Sequence, residues 1–234
     1  MDVMGKALLD FQIGAYTEDI KTISSLEEQD VLPLPYLFRS FQEMPLLEQS
    51  ALELCFGKVL DVGCGAGSHT LHLQQKGLEV TALDQSSGAI QVCKLRGIKK
   101  TVCTEFLTYG EAKFDTLLIL MNGVGISGKL KNLSAFLKHA KNLLHPNGQI
   151  LLDSSDIIYM YEMDGDGGYW VPGDLDYYGE VRFQMEYKSQ KGPIFDWLYL
   201  DFGTLATYAE KENLKCELIV KGKHYDYLAR LSKK

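Results

Sequence analysis

At residues 58–67 the chain reads Lys58-Val59-Leu60-Asp61-Val62-Gly63-Cys64-Gly65-Ala66-Gly67. The first half is apolar and β-prone, which predicts a buried strand. The second half has glycines at alternate positions, and these allow a sharp turn and a close approach of a ligand to the backbone. Ser68 then stands where a residue could cap a helix. Strand, glycine turn and helix start together predict the nucleotide-cofactor corner of a doubly wound α/β sheet.

The acid ahead of the glycines indicates which cofactor this corner would take. A dinucleotide site places a pyrophosphate on the helix N-terminus and usually has the spacing G-x-G-x-x-G. Here the spacing is G-x-G-x-G, and Asp61 precedes it by two residues. A carboxylate at that position would repel a pyrophosphate and attract an amino group. The pattern therefore favours a cationic cofactor without phosphate, although a plain tight turn in an α/β protein remains an alternative.

This motif resembles that of the class I S-adenosylmethionine-dependent methyltransferases, in which a hydrophobic strand ends in D/E-x-G-x-G-x-G. The resemblance implies S-adenosyl-L-methionine as cofactor and a methyltransferase (EC 2.1.1.-) of Rossmann-like fold. It places cofactor contacts in the glycine loop, where Cys64 is more readily explained by packing than by reactivity. The residues that it assigns there are Asp61, Gly63, Cys64, Gly65 and Gly67.

Two further acids follow at the ends of predicted strands. Asp84, with Gln85 after it, lies about 20 residues past the glycines, where an acid can accept hydrogen bonds from both ribose hydroxyls. Its alternative role is capping the helix that begins near residue 86. In the family pattern, Glu105 and Phe106 would contact the adenine, although most members have Asp where this chain has Glu. The alternative for Glu105 is a solvated acid in a loop.

Residues 113–121 form a nearly continuous apolar run, which predicts a fully buried central strand of a parallel sheet. Met121 and Asn122 stand at its carboxyl end, where ligands bind in open α/β folds. Methyltransferases that act on nucleic acid bases carry D/N-P-P-Y/F here, and this chain lacks both prolines. Asn122 is therefore a candidate for orienting a substrate or the methionine end of the cofactor. A turn amide that satisfies backbone groups is the alternative.

The remaining elements complete the predicted fold class, α/β. We expect a doubly wound, seven-stranded, mostly parallel sheet with an antiparallel last strand, an N-terminal helical lead and an inserted β-hairpin cap. A helix at 129–145 should be stopped by the turn at 145–148 before a strand at 149–153. The resemblance covers residues 57–153 and 203–231. The predicted organisation is one structural domain, with residues 1–56 as lead or lid and 57–234 as methyltransferase domain.

The lead and the cap supply the remaining candidates. One or two helices are expected within residues 6–30, and Arg39 is a candidate for binding the methionine carboxylate, with an ion pair to Glu43 as the alternative. The cap, residues 154–202, should form strands at 180–187 and 195–200 joined by a turn at 188–193. Trp170 and Tyr178 are its candidate substrate contacts, although aromatic residues in such a cap are also ordinary core. The Asp-Gly-Asp-Gly-Gly run at 164–168 lacks the later ligands of a calcium loop, so no metal is predicted.

Composition limits the classes of partner. The chain has 234 residues, a net charge of −7 and 46% hydrophobic residues. Residues 1–56 hold ten acids against three bases, a difference of −7 that equals the whole net charge. No basic stripe is present, which argues against nucleic acid as partner, and no membrane span is predicted. Five cysteines without C-x-x-C spacing predict reduced thiols in a cytoplasmic protein. The expected oligomeric state is a monomer or a homodimer.

The predicted activity is transfer of a methyl group to an N, O or S atom of a small molecule by in-line displacement. A base is needed only if the nucleophile arrives protonated, and His224 at a hairpin tip is a speculative candidate. Two other classes stay open: a non-catalytic S-adenosylmethionine-binding module, and a nucleotide-dependent oxidoreductase on the same scaffold. The spacing around Asp61 argues against the second.

Overall fold

Two β-sheets organise the chain in the computed structural model, which describes residues 1–26, 29–173 and 175–234. The helices are α1 (Val3–Gln12), α2 (Leu34–Leu37), α3 (Leu46–Leu54), α4 (Ser68–Gln75), α5 (Ser87–Leu95), α6 (Leu133–Asn142) and α7 (Phe202–Lys211). The strands are β1 (Ile20–Ser24), β2 (Gln29–Leu32), β3 (Lys58–Val62), β4 (Glu79–Asp84), β5 (Thr101–Cys103), β6 (Phe114–Ile119), β7 (Leu144–Ser155), β8 (Glu180–Tyr187), β9 (Gln190–Leu198), β10 (Leu214–Lys221) and β11 (Asp226–Lys233). None of the helices in the described part is long and apolar enough to cross a bilayer.

The larger sheet has the strand order β10-β11-β7-β6-β3-β4-β5. Strands β3 to β7 pair in parallel, and β11 pairs antiparallel with both β7 and β10. The predicted seven-stranded, mostly parallel sheet with an antiparallel last strand is thus confirmed. Because parallel strands are covered by helices on both faces, their sequences are apolar on both faces.

Strand β6 shows how the two faces are buried. Leu117 and Ile119 belong to the core beneath α6 and α7, whereas Leu118 belongs to the core beneath α3. Successive side chains of a strand point to opposite faces, so a continuous apolar run fills both cores. This packing fixes the carboxyl ends of β3, β6 and β7 next to one another.

The smaller sheet joins the lead to the cap, in the order β2-β1-β8-β9 with all pairs antiparallel. One of the one or two helices expected within residues 6–30 is present as α1, whereas the later part of that range contains β1 and the start of β2. Thr22 lies opposite Met185 in this sheet. Ile20 and Thr22 are β-branched, and pairing with the distant β8 favours the extended form over a helix. The lead is therefore helical only in part.

Three local boundaries also differ from the expectation. The β8–β9 turn consists of Lys188 and Ser189 alone, both with positive φ, as in two-residue hairpins. Pro193 lies inside β9, which tolerates it as an edge strand. Residues 145–148 belong to β7 and do not form a separate turn. Gly67, in the left-handed region at φ 80°, caps α4 in place of Ser68.

Candidate functional site

A cavity of about 680 Å³ opens at the carboxyl ends of β3, β6 and β7. One wall is the loop after β3, and another is the turn after β6. The smaller sheet covers both, with side chains from β1, β8 and β9 facing inward. Its volume is in the range typical of small-molecule sites.

The glycine loop has the backbone that its sequence predicts. Gly63, Gly65 and Gly67 all have positive φ, a region that other residues rarely adopt. A Cβ on Gly67 would lie 2.3 Å from Ile98 Cδ1, whereas a Cβ on Gly65 would meet no atom within 4 Å. Gly67 is therefore needed for packing, and the space beside Gly65 is open. Cys64 packs with its Sγ 3.7 Å from that of Cys93.

Asp61 lies at the end of β3 and lines the cavity, although it is only 2% exposed. Its carboxylate accepts a hydrogen bond of 2.6 Å from the hydroxyl of Thr70 on α4. Burial raises the pKa of Asp61, an effect only partly offset by the field of His69 and by the Thr70 hydrogen bonds. A donor on a bound ligand would stabilise the ionised form.

Asp84 lies behind the glycine loop. One carboxylate oxygen accepts the Gly65 N–H at 2.9 Å and the other accepts the Ser86 N–H at 2.8 Å. Burial raises the pKa of Asp84, and these two hydrogen bonds oppose that effect. The cap of α5 is Ser86, which accepts the Ala89 N–H, so Asp84 holds the loop and does not cap the helix directly.

Neither Gly67 nor Asp84 lines the cavity, and the remaining adenosine candidates do not reach its wall either. Gln85 and Glu105 are exposed. Phe106 is buried in the core, where its ring centroid lies 5.3 Å from that of Phe136. These three residues lie along the edge of the sheet beyond Asp84, outside the cavity.

The turn after β6 carries two residues in the left-handed region. Met121 and Asn122 have φ values of 60° and 55°, and both line the cavity. Asp153 at the end of β7 stabilises this turn by accepting the Asn122 N–H at 2.8 Å. The side-chain Oδ1 of Asn122 is buried and has no hydrogen-bond partner among the described residues. The turn thus presents a side-chain amide with unused hydrogen-bonding capacity beside the glycine loop.

Arg39 is buried at the cavity wall, and its partner within the protein is Glu48. The guanidinium donates to Glu48 on α3 at 2.5 Å and lies 3.8 Å above the Tyr36 ring. The Glu43 carboxylate instead accepts a hydrogen bond from the N–H of Ser40 in a capping box, so the alternative of an Arg39–Glu43 ion pair is wrong. That alternative arose because the two residues are four apart, as in an ion pair on a helix, yet this segment is not a continuous helix.

Glu48 connects Arg39 to the glycine-loop helix. It also pairs with Nε2 of His69 on α4 at 2.7 Å, and all three residues are less than a tenth exposed. Burial alone would raise the pKa of Glu48, but the His69 hydrogen bond and the Arg39 charge lower it overall. Arg39 Nε is buried without a partner among the described residues.

Asp153 is a cavity residue that the sequence analysis did not select. In the sequence, Asp153 is distinguished only as the acid at the end of the strand predicted at residues 149–153. Burial raises its pKa to about 7, with the field of Glu48 adding to the effect and the Asn122 N–H opposing it. A carboxyl group that lines a cavity and has a pKa raised by burial is typical of functional sites.

The cap supplies aromatic side chains, but not the ones chosen from the sequence. Trp170 is 72% exposed, and Tyr178 donates its hydroxyl to Asp156 away from the cavity. His224 is exposed at the β10–β11 turn and does not line the cavity. The aromatic residues that do line it are Tyr36, Tyr159, Phe183, Phe195, Trp197 and Tyr199. Three of them could have been found from the sequence, because they alternate at positions 195, 197 and 199 and alternate residues of a strand lie on one face.

The indole of Trp197 packs against the turn after β6. A Cβ on Gly125 would lie 2.2 Å from the Trp197 indole, so only glycine allows this contact. We expect Gly125→Ala to push the indole away and to lower the free energy of unfolding by about 1–3 kcal/mol. Denaturant unfolding and tryptophan emission, in a Trp170→Phe background, would measure both effects. Gly110→Ala, which meets no atom within 4 Å, is the control; equal behaviour of the two variants would contradict the expected contact.

Comparison with known proteins agrees with this geometry. A family model described as "Methyltransferase domain" matches residues 60–152. A crystal structure of an S-adenosylmethionine-dependent methyltransferase from Bacteroides fragilis, in complex with S-adenosyl-L-homocysteine, superposes with a TM-score of 0.92. It is 46% identical, over 99% of this chain and 94% of that one. The CcbJ methyltransferase of Streptomyces caelestis, 13% identical with a TM-score of 0.62, covers 82% of this chain and 94% of its own, and shares the fold.

Curated relatives match over a shorter range. A ubiquinone biosynthesis O-methyltransferase from Xanthomonas oryzae is 24% identical over 111 residues, 44% of this chain. The aligned part spans 45% of the length of that relative. The glycine turn, the sheet topology and the near full-length match at 46% identity lead to one conclusion. The chain belongs to the family of S-adenosylmethionine-dependent methyltransferases.

Proposed function

We propose that the protein transfers the methyl group of S-adenosylmethionine to an N, O or S atom of a small molecule by in-line displacement. The support for this proposal is the arrangement of the two cavity walls. The glycine loop after β3 and the aromatic side chains of β9 face the same cavity of about 680 Å³. A cofactor against the first wall would therefore present its reactive end to an acceptor held by the second.

The residues present fit the cofactor. The open space beside Gly65 would accommodate a ligand where a side chain would stand. The unpaired Nε–H of Arg39 suits a carboxylate. We assign the amino-acid end to Arg39, Asp61, Gly63, Cys64, Met121 and Asn122, and the adenosine to Gly65, Gly67 and Asp84. Gln85, Glu105 and Phe106 are further candidates for the adenosine, although they lie outside the cavity and Phe106 is buried in the core.

When bound, the cofactor supplies an electrophilic methyl group on a sulfonium. The task of this chain is then to place the acceptor in line and to exclude water. The smaller sheet is suited to both, since β1, β8 and β9 cover the cavity from the side opposite the glycine loop. Asn122 is a candidate for orienting the acceptor. His224 could take part only if its hairpin moved inward.

Enclosure and charge support a small acceptor over a nucleic acid. The cavity is covered by the smaller sheet, and the chain carries a net charge of −7, which would repel a phosphate backbone. Trp170 and Tyr178 remain weaker candidates for contacts at the cap. The curated relatives are named as O-methyltransferases, so a hydroxyl acceptor is one alternative. We also propose a monomer or homodimer in the cytoplasm, with five free cysteines as support for a reducing compartment.

Calorimetry would test the choice of cofactor. We expect S-adenosylmethionine and S-adenosylhomocysteine to bind in the micromolar range, about −8 kcal/mol, and NAD not to bind. The reason is the carboxylate of Asp61 beside a loop without the dinucleotide spacing. Tight NAD binding without S-adenosylmethionine binding would favour an oxidoreductase. Cofactor binding without methyl transfer to any amine, hydroxyl or thiol metabolite would favour a binding module.

A further inference from the structure

The cavity wall opposite the glycine loop is an aromatic surface. Phe195, Trp197 and Tyr199 stand at alternate positions, so their side chains share one face. The Phe195 and Trp197 rings meet edge to face at 6.0 Å between centroids, and Phe183 of the paired strand lies 6.1 Å from Phe195. Gly125 supports the indole from behind. Such a surface binds a flat or apolar body.

The remaining wall is acidic. Among the lining residues that the structure describes, five are acids and only Arg39 and His69 carry basic groups. Glu48 pairs with both of those side chains, so the Arg39 charge is compensated within the cluster. No cation in the described lining forms an ion pair with Asp153.

Asp153 is the carboxylate of the cavity wall that lies beside Asn122. It lies near the carboxyl end of β7 and accepts the Asn122 N–H with one oxygen. Its side chain is partly exposed to the cavity. Asp226 of the neighbouring β11 lies on the same face of the sheet, because it is directly opposite Ser155, two residues from Asp153. Asp226 accepts the His224 N–H, so each of the two carboxylates already accepts a backbone N–H, and Asp153 is the one that lies beside Asn122.

We propose, building on the proposed methyltransferase function, that the acceptor is an amine carried on a flat apolar body, and that Asp153 binds its nitrogen and takes its proton. The aromatic surface would hold the body and the carboxylate would hold the ammonium. A carboxylate acceptor would be repelled by the acidic wall. A hydroxyl acceptor could donate a hydrogen bond to Asp153 but, being neutral, would lack the attraction between opposite charges that an ammonium gains.

The proposed reaction is a proton transfer to Asp153 followed by displacement at the methyl carbon. The ammonium gives one proton to the Asp153 carboxylate, which frees the nitrogen lone pair. That pair forms the new nitrogen–carbon bond while the bond from the same carbon to the sulfonium sulfur breaks, and the sulfur keeps the electrons. The product is a methylated ammonium and a thioether, and the Asp153 proton passes to solvent. A carboxyl group that titrates near neutrality suits this transfer.

Matched pairs of probes test the proposal. We expect the protein, saturated with S-adenosylhomocysteine, to bind tryptamine and 2-phenylethylamine at least about tenfold more tightly than tryptophol and 2-phenylethanol at pH 7.5. In Asp153→Asn, which keeps an oxygen for the Asn122 N–H, the preference should disappear. Asp196→Asn is the control, since it removes one charge from an exposed residue on the other face of β9 and should keep the preference.

The pH dependence of binding separates a direct contact from a structural role. Amine affinity should rise from pH 6 to 8 as Asp153 ionises, because the amine stays protonated over that range. The groups near Asp153 are Glu48 from α3, His69 from α4, Tyr36 from α2, and Asp226 and Tyr227 on β11. A rise that persists in Asp153→Asn would assign it to one of these groups and overturn the proposal.

Two outcomes would also overturn it. One is that no amine binds more tightly than its hydroxyl counterpart. The other is an amine preference that Asp153→Asn leaves unchanged. Binding of S-adenosylhomocysteine is measured first in the same titration. Its absence would defeat the proposed function itself, whereas its presence with either outcome would defeat only the assignment of the acceptor.

Discussion

Arg39→Ala is expected to lower the free energy of unfolding by about 3–5 kcal/mol, because it leaves Glu48 charged and buried with one partner fewer. Glu48 is 4% exposed, so water cannot replace the guanidinium. The loss should exceed that of any ordinary surface ion pair, which contributes about 0–1 kcal/mol. Urea unfolding monitored by circular dichroism would measure it. A change below about 1 kcal/mol would show that His69 alone satisfies Glu48.

The same substitution should weaken cofactor binding, and a second variant separates the two effects. Arg39→Met combined with Glu48→Gln removes both charges while keeping an oxygen for His69. Stability should recover in large part, since replacing a whole buried pair by neutral groups is often nearly neutral. Affinity for S-adenosylhomocysteine should stay at least about tenfold lower if Arg39 binds the methionine carboxylate. Methylthioadenosine, which lacks that carboxylate, should bind both proteins equally.

The main sheet was predictable from sequence because local signals and buried periodicity agree there. The loop at 63–67 requires positive φ, and only glycine adopts it freely. Residues 113–121 are apolar on both faces, as a central parallel strand must be. Asp61 and Asn122 follow directly, since the carboxyl ends of adjacent parallel strands meet at one edge. These features depend on residues close together in the chain.

The cap and the lead were less predictable because their structure depends on distant pairing. Thr22 is extended through its pairing with β8, more than 150 residues away, and no local pattern reports this. Trp197 lines the cavity although the sequence pointed to Trp170, and the reason is related. Aromatic content marks a candidate, but the direction of a side chain follows from the register of β9 and from the contact with Gly125. Asp153 was overlooked because its position beside Asn122 appears only once β6 and β7 are paired.

Asp84→Ala is expected to reduce the affinity for S-adenosylhomocysteine at least about tenfold while the fold persists. If the carboxylate accepts both ribose hydroxyls, two charge-assisted hydrogen bonds are lost, roughly 1.5–3 kcal/mol each before compensation. The structure adds a second cause. The carboxylate also accepts the Gly65 N–H, so its removal loosens the loop on which the cofactor would lie. Calorimetry with wild type and variant measures the sum.

Comparing two ligands separates these causes. For methylthioadenosine, the loss on Asp84→Ala contains both the ribose contact and the loop effect. For an analogue without the 2′ and 3′ hydroxyls, only the loop effect remains, because no donor faces the carboxylate. We therefore expect the variant to weaken the first ligand at least about tenfold more than the second. Asp84→Asn keeps one oxygen for a backbone N–H and should retain part of the loop contribution. An equal loss for both ligands would mean that Asp84 acts on the cofactor only by holding Gly65, and that the ribose is bound by other residues.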